Sequence, residues 1–238
     1  MTAPDHRGYG PYLSLEGLVY RVNRDSLQGA IDVPATERNL YHRFKYGGLF
    51  NPDGSWDRTL YKDESAVTLS RNYASAHLQL AYHYHQRREL DRAIVEMERV
   101  QRMFPDYAEV LIPLGGFYME KGDTAKALEL FRTLARRQPD NPEVHYYYGI
   151  TLAFQRDAAG ALREFDTAIQ LDPAYARPYY GAYYTLGQAG QVERALGYLQ
   201  RLVEVDPAEQ QAQGILQMMR PQAARGAPIP PPQLSDQP

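Results

Sequence analysis

Residues 142–175 read PEVHYYYGITLAFQRDAAGALREFDTAIQLDPAY, and residues 176–209, ARPYYGAYYTLGQAGQVERALGYLQRLVEVDPAE, follow without a gap. Superposed on their common length of 34 residues, they place Ala161 over Ala195 and Pro173 over Pro207. Two further periods upstream hold Ala93 and Ala127, Pro105 and Pro139, in the same register. A fixed period of this length marks a chain built of stacked units, each too small to bury its apolar face alone. The units are 74–107, 108–141, 142–175 and 176–209. Inside each, apolar residues recur at helical spacing, and each Pro ends the second helix because it has no N–H to donate.

The positions between these landmarks are specific. The eighth is small in Ala81, Gly115 and Gly149, though Tyr183 in the last unit. The eleventh is Tyr84, Tyr118, Leu152 and Leu186, and the twenty-fourth Met97, Phe131, Phe165 and Leu199. Small residues let two antiparallel helices approach while the bulky ones fill the space between them. The fifteenth, a turn position, is Gly122 and Gly190 but Arg88 and Arg156 elsewhere. This pattern resembles tetratricopeptide repeats. It departs from them at the fourth position, where His77, Leu111, His145 and Tyr179 replace the usual Trp. The resemblance implies an all-α, right-handed solenoid of helical hairpins, four repeats plus a C-terminal capping helix within 74–220, with a short mixed extension before it.

The extension, residues 1–73, lacks the repeat. Pro11–Val22 is rich in β-formers and reads as a strand or small hairpin. Asp32-Val33-Pro34 announces a helix over about 35–46, carrying Leu40 and Phe44 and stopping at Gly47-Gly48. Trp56, the only Trp, follows a turn at residues 51–54. From Asp63, Leu69, Tyr73, Ala76, Leu80 and Tyr84 form one stripe, so the first repeat's helix begins early and ties the extension to the array. Leu40 and Phe44 are expected to cap the first repeat. At the other end, Ala212, Ile215, Leu216 and Met219 predict a capping helix over 208–220, ended by Pro221, before a Pro-rich tail (221–238) that cannot bury a core.

Composition narrows the function. A net charge of −3 leaves no sequence-wide footprint for nucleic acid. Arg99–Arg102 and Arg136–Arg137 read as solvated helix faces. With no Cys, disulfides, thiolate metal sites and a Cys nucleophile are excluded; this favours an extracytoplasmic (periplasmic or cell-surface) location over the cytoplasm without fixing it. Residues 1–10 lack the apolar core of a secretion signal. The longest mainly apolar stretch, Val110–Met119, is too short for direct membrane insertion, which takes about 20 residues.

The extension carries a second resemblance. Glu16–Val22, then Thr36-Glu37-Arg38-Asn39-Leu40-Tyr41 with Phe44 and Gly48-Leu49, then Leu60–Glu64, are similar to the region after the last membrane span in bacterial multi-pass proteins related to the GT-C glycosyltransferases, a class that includes protein O-mannosyltransferases. The resemblance covers roughly residues 9–107. The membrane-embedded catalytic part has no counterpart here, so no catalytic residue is carried over. It implies an accessory module whose partner is a membrane glycosyltransferase or a glycan.

Chemistry-bearing constellations are few. His83 and His85 point about 200° apart on a helix and cannot share one ion. No metal site, cofactor loop or catalytic triad is spelled out, and the chain reads as no enzyme. The first helix of each repeat offers a binding stripe instead. Its candidate residues are Tyr82, Met119, Tyr146, Ile150, Phe154, Arg177, Tyr180 and Tyr184, with Leu78 and Ile112 divided between groove and packing. Tyrosine accounts for 20 residues, and an aromatic row at such a surface suits peptides and sugar rings alike. The reading is a scaffold that takes a protein or peptide partner in a tyrosine-lined groove. Glycan binding within a glycosyltransferase system, and a structural subunit stacking end to end, are the alternatives; the oligomeric state stays open.

Overall fold

The computed structural model describes residues 13–16, 19–22, 31–43, 50, 51, 53–55, 64–105 and 108–223. The expected features at Phe44, Gly47-Gly48 and Trp56, and the tail from 224 onward, lie outside them. The chain forms two compact units, residues 1–117 and 118–238. The fold is the helical-hairpin repeat anticipated from the period.

The first unit opens with an antiparallel hairpin, β1 (Leu13–Glu16) and β2 (Val19–Val22), pairing Leu13 with Val22 and Glu16 with Val19. Helix α1 (Val33–Arg38) starts two residues before the expected Ala35. Asp32 caps it by accepting the Ala35 N–H at 2.9 Å, with Pro34 in its first turn. The chain continues as a π-helical turn, Asn39–Arg43. Helix α2 (Glu64–Gln86) is the long unbroken helix that the stripe predicted, and α3 (Leu90–Met103) packs antiparallel against it. Leu80, Ala81, Ala93, Met97 and Val100 are sealed between them. The extension docks on this hairpin. The Tyr84 hydroxyl donates to Glu37 Oε1 at 2.5 Å, and Arg92, whose guanidinium lies 4.0 Å from the Tyr84 ring centroid, donates to the same oxygen at 2.7 Å. Leu40 is buried. Helix α4 (Ala108–Lys121) begins in this unit and ends in the next.

The second unit adds α5 (Thr124–Arg137), α6 (Pro142–Phe154), α7 (Ala158–Leu171), α8 (Ala176–Gln188), α9 (Val192–Val205) and α10 (Gln210–Ala223). The repeat's logic is visible in its packing. Ala161, Phe165, Ala195 and Leu199 are fully buried. Phe165 wedges between α6 and α8: a Cβ on Gly149 would stand 2.6 Å from its ring and one on Gly181 2.8 Å, distances no side chain tolerates, so both positions need Gly. Helix α10 covers α9 through Ala212, Leu216 and Met219. It runs through Pro221 rather than stopping there, because proline deletes one hydrogen bond while its ring holds a φ close to helical.

Each corner between paired helices is built alike. The fifteenth residue is left-handed in every repeat: φ is 63° at Arg88, 87° at Gly122, 63° at Arg156 and 72° at Gly190. The next N–H then reaches back five residues, from Glu89 to Tyr84, Asp123 to Tyr118, Asp157 to Leu152 and Gln191 to Leu186, at 2.8–3.0 Å. This is the Schellman closure of a helix end.

The fourth position shows what replaces Trp. In the third repeat the His145 ring faces two acceptors, Glu164 Oε2 at 2.7 Å from Nδ1 and the Pro139 carbonyl at 3.0 Å from Nε2. In the fourth, the Tyr179 hydroxyl donates to the Pro173 carbonyl at 3.0 Å. In these two repeats a polar side chain here ties the first helix to the repeat-ending proline before it. The first repeat has the same His–Glu pair, His77 Nδ1 to Glu96 Oε2 at 2.7 Å, buried on both sides.

Candidate partner-binding face

Asn141 starts α6 by accepting the N–H groups of Glu143 and Val144, with Pro142 at the first helical position. That start sets which residues of PEVHYYYG look inward. Val144, His145 and Gly149 go to the interior; Tyr146, Tyr147 and Ile150 are half-buried. Helix α8 lies beside α6 and brings Arg177 near its start.

Around Arg177 a tyrosine cluster forms. Tyr146 meets Tyr147 edge-on at 5.0 Å between centroids and Tyr175 at 5.6 Å, and leans on Phe165 at 6.2 Å. The Arg177 guanidinium donates to the Tyr147 hydroxyl at 3.4 Å. The Tyr175 hydroxyl is sealed from solvent beside it without a hydrogen bond of ordinary geometry. Burial raises the pKa of both Tyr146 and Tyr175, so these phenols stay neutral donors. Arg177 itself is exposed, and no carboxylate among the described residues forms an ion pair with it. The cation thus has the Tyr147 phenol oxygen as its hydrogen-bond partner and no carboxylate paired with it among the described residues.

The other candidate residues fall into separate groups. Tyr180 and Tyr184 pack, half-buried, on the α9–α10 core; the Tyr180 hydroxyl donates to Glu209 at 2.9 Å and Tyr184 meets Tyr183 edge-on at 5.1 Å. Their inner faces serve packing, and only their outer edges are free to contact a partner. Met119 Sδ lies 3.3 Å from the Thr151 hydroxyl, which donates to the Tyr147 carbonyl at 2.8 Å. Ile150 leans on the Phe165 cluster. Phe154, at the end of α6, is 69% exposed, an unusual degree for phenylalanine. In the first unit Tyr82 is 45% exposed and meets Phe117 edge-on at 6.3 Å, while Phe117 stacks on His85 at 4.5 Å. Ile112 is buried and Leu78 partly so. Tyr147 and Tyr175, which hold Arg177, escape a reading by stripe because they sit at the edge of that stripe and after the repeat-ending proline. The signal was there in the crowding of tyrosines.

Among the described residues no helix is long and apolar enough to cross a membrane, and no three His, Asp or Glu converge as metal ligands. Residues 84–148 match the tetratricopeptide repeat family, and no curated protein matches the chain. Among solved structures, MamA shares 19% identity over 64% of this chain and 87% of its own, with a TM-score of 0.52. YrrB, described as a tetratricopeptide-repeat protein with an unusual peptide-binding site, shares 19% over 65% and 83%, with a TM-score of 0.51. MamA from Desulfovibrio magneticus RS-1 shares 12% over 61% and 86%, at 0.50. Sequence period, packing and these likenesses agree on the helical-hairpin fold of tetratricopeptide repeats.

Proposed function

We propose that the chain is a non-catalytic scaffold and that the α6–α8 face of the second unit receives an extended peptide of a partner protein. The observation that carries this reading is Arg177, an exposed guanidinium positioned by tyrosines and matched by no carboxylate. An acidic side chain of the peptide would complete it, since charge-assisted pairs are among the stronger surface contacts. Tyr146, Ile150 and the outer edges of Tyr180 and Tyr184 offer rigid apolar surface with polar tips for neighbouring side chains, as aromatic anchors do elsewhere. That YrrB is a peptide-binding protein of the same fold supports the class of partner. The Lys, Arg and Asn residues that clamp a C-terminal carboxylate in co-chaperone repeats are replaced in the first two repeats by Leu78, Gln79, Tyr82, Ile112 and Pro113, so no binding of chaperone C-terminal acidic peptides is expected.

The test is a peptide array and a glycan array on the purified chain, followed by titration of the best binder. Arg177→Gln and Tyr146→Ala should each weaken a bound peptide by about 1–3 kcal/mol while leaving helicity unchanged. Peptide binding indifferent to both substitutions would place the site elsewhere. Saturable glycan binding with no peptide binding would replace this reading with the carbohydrate-linked one.

A further inference from the structure

Tyr146, Ile150 and Phe154 stand four residues apart on α6 and share one face of the helix. Phe154 ends that line 69% exposed, and a row of apolar surface rimmed by polar groups marks a contact site. Arg177, at the other end, forms no carboxylate ion pair among the described residues, exposed Glu143 at the start of α6 included. The segment that fits such a face is extended, apolar first and acidic a few residues later.

The chain carries one. Residues 224–238 read ARGAPIPPPQLSDQP. Pro228, Pro230, Pro231 and Pro232 favour polyproline II, the form that aromatic-lined grooves take up because little entropy is lost in ordering it. Asp236 is the only acidic residue of the segment.

The lengths agree. The chain reverses at residues 189–191 and again at 206–209, so α10 runs in the direction of α8. It starts beside Tyr180, which bonds Glu209, and stops at Ala223 on the side where α6 and α8 also end. The five steps from Ala223 to Pro228 span up to about 17 Å. The α6–α8 face lies roughly one and a half helix spacings away, at about 8–10 Å each. Polyproline from Pro228 to Pro232 is about 12 Å long, which equals the rise of about 12 Å along the helix from Phe154 back to Tyr146. Asp236 follows four residues later, within about 13 Å, and Arg177 is held at Tyr147, next to Tyr146.

We infer that the tail binds the α6–α8 face of its own chain, with Pro228–Pro232 against Tyr146, Ile150, Phe154 and the outer edges of Tyr180 and Tyr184, and Asp236 paired with Arg177. This rests on the face being a peptide site and adds that a partner peptide has to displace the tail. A short tether holds its end at an effective concentration on the order of millimolar, so even a weak contact keeps the face occupied.

The test compares the full chain with one ended after Ala223, which keeps every described helix; circular dichroism checks its helicity. A synthetic peptide of residues 224–238 is titrated into both by calorimetry. It should bind the shortened chain with a Kd of about 1 mM or tighter, the limit at which the tether half-fills the face. The full chain should bind it at least about twofold more weakly, because its own tail competes. Arg177→Gln in the shortened chain and Asp236→Asn in the peptide should each weaken binding, and together no more than either alone, as two ends of one contact. No saturable binding to the shortened chain, equal binding to both chains, or additive effects of the two substitutions would each overturn the inference. Where the shortened chain does not fold, Asp236→Asn in the full chain is measured instead: a peptide selected on the array should bind it more tightly than the wild type, and unchanged affinity overturns the inference. An array peptide that binds full and shortened chains alike through Arg177 leaves the peptide face standing without its tail. A shortened chain that binds neither peptide removes both.

Discussion

His145 is where one residue couples the repeat to pH. Its two ring nitrogens face a carboxylate and a carbonyl, and only the doubly protonated ring donates to both. The Glu164 hydrogen bond is the main cause raising its pKa; burial opposes it. Because the folded value lies above the unfolded one, the pair's contribution is complete below the unfolded value of about 6.5. It is lost as pH rises through the raised folded value. The wild-type chain should therefore melt above His145→Gln at pH 6, and the gap should narrow as pH rises from there. A melting-temperature gap that is constant or widens between pH 6 and pH 9 would show that the pair does not titrate as argued. The His–Glu spacing of 19 residues recurs in the first repeat as His77 and Glu96, so the pairing was open to a reader of the sequence who followed the missing Trp to its partner. The site residues were harder. Tyr180 and Tyr184 could be assigned to a stripe, but the hydroxyl bond to Glu209 and the packing on α10 depend on neighbours that no spacing names.

At the scale of an element, the corner between paired helices shows geometry overriding residue type. Arg88 and Arg156 adopt the same left-handed backbone as Gly122 and Gly190, although a side chain there costs about 1–2 kcal/mol. The cooperative packing of the helices on either side enforces it. Arg156→Gly should then raise stability by up to about 1 kcal/mol, glycine's greater freedom in the unfolded chain offsetting part of the relief. Gly122→Arg should lower it by a similar amount. Denaturant unfolding of both variants decides this: a destabilised Arg156→Gly would mean that the arginine makes contacts worth more than its strain. Turn positions are legible as Gly in two repeats; in the other two only the period reveals them.

For the molecule as a whole, the extension is integral to the first unit. It places Leu40 in the core and Glu37 on Tyr84 and Arg92. Removing residues 1–62 should uncover the Leu40 contact, worth about 1.5–3 kcal/mol by burial alone, and take the Glu37 acceptor from the Tyr84 hydroxyl, to which Arg92 still donates. The shortened chain should melt lower and self-associate in light scattering. Equal melting temperature and a monomeric shortened chain would make the extension an independent tether instead. The sequence by itself determined the repeat, its register, its corners and its small-against-large core positions. All of these rest on local spacing, because a helix brings residues three and four apart together and a repeat does so identically each time. The tertiary structure alone decided that Arg177 has no carboxylate ion pair among the described residues and that Tyr180 and Tyr184 pack on the α9–α10 core. Those features depend on side chains distant in sequence, and the distance between them is set by how the helices and the extension pack.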